Sequence, residues 1–167
     1  MLMALPPPHP QLIAFWSPAA PPEKVVRFRR RLGRWQLEMI RDPFVGTVAC
    51  TLRSGPMTFT AGAMTFQFSA RIDTFAAVYK IDGGPAVPWR ANAMALAARR
   101  VKIADETLDN PSRGQVPIPD NLLSGAHAVS IRTAPNRAVT TFRLDGLAAA
   151  VDVARATACG PSFGQGY

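Results

Sequence analysis

The stretch from Asp120 to Cys159 constrains the fold most, because its hydrophobic period switches once, from that of a strand to that of a helix, and it closes on a cysteine. Pro119-Asp120 starts a short helical turn into Leu122 and Leu123. Between Ala126 and Thr133, Val129 and Ile131 share one face and Ser130 and Arg132 the other, the alternation of a half-buried strand. Ala134-Pro135-Asn136-Arg137 is turn chemistry, since proline fixes φ and asparagine tolerates left-handed backbone. Val139 to Leu144 then returns, with Phe142 and Leu144 opposite Thr141 and Arg143. Asp145 is expected to cap the following helix, its carboxylate accepting free first-turn N–H groups. Leu147, Ala150, Val151, Ala154 and Ala158 fall at helical spacing, and Gly160-Pro161 ends the run. The expectation is a β-hairpin followed by a helix that delivers Cys159 to a sheet.

Upstream the same strand period repeats between short breaks. Trp35, Leu37 and Met39 alternate with Gln36 and Glu38 until Asp42-Pro43; Val45 to Leu52 follows, carrying Cys50. Ser54-Gly55-Pro56 turns the chain, Met57 and Phe59 begin another strand, and Met64, Phe66 and Phe68 line a fourth after Ala61-Gly62. Ile72 to Ile81 is read as a strand with Phe75, Ala77, Tyr79 and Ile81 on one side, ending at the turn Asp82-Gly83-Gly84-Pro85. Pro88 to Ile103 suits either a helix or a strand; its first part is read as strand, following its neighbours. Residues 106–119 have loop composition. Strands joined by short turns predict a mainly β (α+β) fold, an antiparallel sheet or sandwich with a C-terminal helix packed on it and an extended Pro-rich N-terminal arm. One domain is the expectation for 167 residues. Its parts are a Pro-rich and basic arm at 1–32, a β-rich domain at 33–160 and a Gly/aromatic tail at 161–167.

The arm contains Pro6, Pro7, Pro8, Pro10, Pro18, Pro21 and Pro22, which favour extended geometry and build no core alone. Leu12, Ile13, Phe15 and Trp16 are its candidate anchors on a protein partner. Val25 to Leu32 is a basic connector or an edge strand. Lys+Arg 19 against Asp+Glu 11 makes the chain basic, with a cluster at Arg27, Arg29, Arg30, Arg31 and Arg34. Such a balance invites nucleic acid or an anionic surface, but the remaining arginines are scattered, so a solvated or partner-facing arm is preferred and nucleic acid is not favoured. No segment approaches the roughly 20 apolar residues that span a bilayer, which leaves at most a peripheral association with the envelope. Met1 to Pro22 lacks a basic start and an unbroken apolar run, a poor secretory signal.

Cys50 and Cys159 are the two cysteines, and neither has a CxxC partner. With His9 and His127 as the two histidines, an ordinary zinc site is not expected, nor is any other metal or cofactor. Both cysteines point inward, as buried thiols or as a disulfide. The disulfide is favoured; closing so long a loop stabilises by roughly 4 kcal/mol and belongs to an oxidising compartment. Catalytic residues are not expected. His127 shares a face with Val129 and Ile131 and reads as structural, the carboxylates sit at turns, and no G-x-S-x-G elbow occurs. GPSFGQGY lacks the strand-before, helix-after context of a phosphate loop; Phe163 and Tyr167 anchor a tail or fray.

The segments IDGGP (Ile81 to Pro85), LLSGAHAVSIR (Leu122 to Arg132) and FRLDGLAAAV (Phe142 to Val151) resemble invasion-associated locus B proteins and related exported domains of unknown function. In these a strand ending in an Asp-Gly turn, a short helix, a hairpin and a terminal helix follow in this order. The chain departs from them by lacking paired cysteines after the Asp-Gly turn. The resemblance implies a periplasmic or envelope β-rich domain and supplies no catalytic residue. The expected function is therefore a non-catalytic envelope (periplasmic) accessory or structural subunit of a larger protein assembly, docking through its N-terminal arm. The alternatives are a periplasmic ligand- or glycan-binding module using Trp35, Tyr79 or Trp89, and a basic nucleic-acid-binding protein. The cytoplasm is the alternative location.

Overall fold

Alternating apolar residues need a second layer to bury them, and here two antiparallel sheets and a helix supply it. The structure, a computed structural model, describes residues 24–101 and 114–166. Strands β1 (Val26–Leu32), β2 (Trp35–Asp42), β3 (Thr47–Ser54), β4 (Met57–Thr60) and β5 (Ala63–Gln67) form an antiparallel meander. Strand β8 (Gln115–Pro119) closes this six-stranded sheet beside β5. The second sheet has four strands in the order β10 (Thr140–Arg143), β9 (Ala128–Arg132), β6 (Val78–Ile81) and β7 (Val87–Pro88).

Register decides what is buried. Leu37 lies opposite Leu52, Leu52 opposite Phe59, Phe59 opposite Met64 and Met64 opposite Ile118. Residues directly opposite one another share a face, so five strands of this sheet present one continuous apolar row to the core, which ends at Arg30 on β1. Its reverse face carries Gln36, Arg53, Thr58 and Thr65, the polar side of a sheet packed on one face. Phe142 of β10 meets Phe66 at 4.9 Å and Phe68 at 5.7 Å, joining the two sheets. Helix α2 (Leu147–Arg155) buries Leu147, Ala150, Val151 and Ala154 in the same core.

Several sequence expectations are corrected. Within 72–81 the strand is confined to Val78–Ile81. Asp73 explains the loss, because its carboxylate accepts the Phe75 N–H at 2.9 Å and bends the chain before the ladder starts. The first part of 88–103 is not a strand beyond Pro88: a 3₁₀ turn over Trp89–Asn92 leads into helix α1 (Ala93–Ala98). Trp89 is buried and its indole N–H donates to the Thr74 carbonyl at 2.8 Å, while alanine's helix preference takes over behind it. Asp145 does not cap α2. Gly146 occupies that position at φ 74°, and the Asp145 carboxylate turns instead to Arg143 at 2.9 Å. Helix α2 ends at Arg155, so Ala158 is exposed rather than part of the stripe, and Cys159 lies in the turns that follow.

Both ends of the domain reach further than composition implied. Val26–Leu32 pairs with β2 along its whole length, so the sheet begins ahead of residue 33. At the other end Phe163 is buried edge-on against Phe59 at 5.7 Å, and Arg155 donates to the carbonyls of Phe163 and Gly164. The arm anchors Leu12, Ile13, Phe15 and Trp16 lie outside the described residues.

Candidate binding surface

The sequence VRFRRRL of β1 alternates in a way its charge conceals. In the pairing with β2, Arg27, Arg29 and Arg31 stand opposite Ile40, Glu38 and Gln36, on the polar face. Val26, Phe28 and Arg30 stand opposite Arg41, Met39 and Leu37, on the core-ward face. The core does not extend to the outer end of that row, so Val26 and Phe28 are left 57% and 46% exposed. Val48 of β3, opposite Arg41 of β2, lies exposed on the same face, and Phe44 and Val45 in the β2–β3 turn are exposed as well. Among the described residues β1 has a ladder neighbour on one side alone.

A groove of about 490 Å³ is lined by Arg29 and Arg31 from the polar face, Arg30 from the other, and Arg34, Gln36, Arg53 and Ser54. Arg29 donates to Glu38 through Nε and Nη2 at 3.1 and 2.9 Å, and this guanidinium holds the Glu38 carboxyl below the usual glutamate value. Arg31 Nε donates to the Gly33 carbonyl at 3.2 Å; Arg34 Nε donates to Ser54 Oγ at 3.1 Å. Among the described residues Glu38 is thus the one carboxylate directly paired with β1, against four arginines on that strand. The arginine cluster read from the sequence is here an ordered row on an edge strand. The apolar half was missed, although the V-x-F spacing within VRFRRRL was its signal.

The other predicted groups fall elsewhere. Cys50 and Cys159 are joined in a disulfide with Cα atoms 5.8 Å apart, as expected, and both are partly buried against the core. Trp35, Tyr79 and Trp89, proposed as an exposed ligand platform, are buried at 0%, 3% and 1% exposure. Trp35 donates its indole N–H to the Asp145 carbonyl at 2.9 Å, which fixes the start of α2 on β2. Tyr79 accepts a hydrogen bond from Asn92 at 2.7 Å, and burial pushes its phenol pKa up. A mostly apolar cleft of about 300 Å³ runs beside it, between Ile81, Pro85, Val87 and Leu122.

His127 departs from its expected place: it precedes β9, its side chain is 87% exposed, and Nδ1 lies 3.5 Å from Asp82 Oδ2. No group of three or more His, Cys, Asp or Glu stands together among the described residues. No helix among them is long and apolar enough to cross a membrane. No protein-family model matches the sequence, and neither a curated protein nor a solved structure matches it.

Proposed function

We propose that the chain is a non-catalytic accessory domain of a larger protein assembly in an oxidising compartment, engaging its partner through the β1 edge and the arm that leads into it. One observation carries the reading: a seven-residue strand with no ladder partner on its outer side among the described residues, bearing exposed Val26 and Phe28. Such an edge is a template for another chain. Leu12, Ile13, Phe15 and Trp16, a short way upstream in the sequence, are the further contacts proposed for the same partner. The disulfide supports export to the periplasm or envelope, in keeping with the resemblance to invasion-associated locus B proteins. A hydrolytic role finds little support in His127, whose exposed ring lies beside the Asp82 carboxylate.

The test is photo-crosslinking in the producing cell, with the reactive side chain placed at Ile13, at Phe28 or, as a control, at Met94, which is 88% exposed away from β1. Discrete adducts with a second protein are expected from positions 13 and 28 and none from 94. Adducts absent from 13 and 28 in folded, disulfide-closed protein would overturn the assignment.

A further inference from the structure

We infer that the outer edge of β1, which has no ladder partner among the described residues, accepts one extended segment of a partner protein in which acidic and apolar residues alternate. This rests on the reading of the chain as a partner-binding domain and adds the chemistry of what is bound. An added strand places its side chains alternately on the two faces of the sheet it extends. On one face those side chains meet Arg27, Arg29 and Arg31; on the other they meet Val26 and Phe28, followed by Arg30. The matching segment therefore carries carboxylates at every second position and, where it passes Val26 and Phe28, apolar side chains between them.

The arginines also exclude the simplest competitor. Two copies of β1 laid edge to edge would set arginine rows against each other, and like charges directly opposite are destabilising. The same run thus blocks self-pairing while leaving the edge usable by an acidic strand. The chain's own arm is a poor occupant of the basic face, since Glu23 is its one carboxylate and prolines interrupt it. A strand identified by charge order and backbone pairing is distinct from a polyanion, which needs the charge alone.

The experiment uses the full, disulfide-closed chain and fluorescent octapeptides, with binding read by anisotropy. One alternates glutamate with valine, a second has the same composition in two blocks, and a third is the alternating peptide N-methylated at every second residue. The alternating peptide is expected to bind about tenfold more tightly than either control, and more weakly as salt rises. The variant R27E/R31E, altered at two exposed positions, is expected to lose that binding and to take up an alternating lysine–valine peptide instead. Equal affinity for alternating and blocked peptides would overturn the inference in favour of a generic polyanion groove. Absence of alternating-peptide binding would overturn it as well, while crosslinks at Phe28 would still uphold the partner-binding reading.

Discussion

Asp82 shows how much one side chain at a turn decides. It sits at φ 47°, in the left-handed region where Asp and Asn are the tolerated side chains. From there its carboxylate accepts the N–H of Ala128 at 2.8 Å and of His127 at 3.0 Å, tying the end of β6 to the start of β9. The Ala128 N–H, foremost, keeps this carboxyl below the usual aspartate value of 3.8. A carboxyl lowered on folding adds stability above its unfolded pKa and loses that contribution as pH falls through the folded one. Asp82→Asn keeps the backbone geometry and one acceptor but removes the charge. Urea titrations are expected to find the variant less stable at neutral pH. The gap should close as the pH drops below 3.8; a gap unchanged with pH would mean the charge contributes nothing.

At the level of the element, α2 and the residues after it act as one unit. The helix buries one stripe, and Arg155 at its end donates to two carbonyls of the returning tail. Gly164 makes the return feasible: at φ 63° a side chain is strained, and an added Cβ would stand 3.1 Å from Phe59 and Val151. The return places Phe163, 4% exposed, against Phe59. Phe163→Ala is expected to destabilise by about 3 kcal/mol, the cost of emptying a buried aromatic site. A lower urea midpoint with unchanged slope would show it; a loss below about 0.5 kcal/mol, as for ordinary surface changes, would mean the tail is not part of the core.

Over the whole molecule, the disulfide closes a separation of 109 residues between β3 and the segment after α2. It constrains the unfolded chain, and a loop of that length gives about 4–5 kcal/mol by loss of chain entropy. Replacing both cysteines with alanine is expected to lower Tm by about 10–20 °C in calorimetry. Reductant should lower the wild-type Tm comparably and leave the variant unmoved. A variant as stable as the wild type would assign the cohesion to apolar packing alone.

Strand periodicity and turn residues were written into the sequence, because each is local; for the two cysteines the sequence favoured a disulfide but left buried thiols open, and the fold brought them together. Val129 and Ile131 were readable as buried without knowing what covers them, since a period of two reports a covered face. The same reasoning failed at Asp145 and over 72–77, where a carboxylate had a choice of partners, the Arg143 side chain or a nearby backbone N–H, that local sequence does not rank. It failed again for Trp35, Tyr79 and Trp89, because burial of a lone aromatic depends on the second layer. Composition placed the arginines, but only sheet order made β1 an edge and separated its charged face from its apolar one. That division is tertiary in origin: which strand lacks a neighbour follows from pairings between distant segments, and no window of sequence contains them.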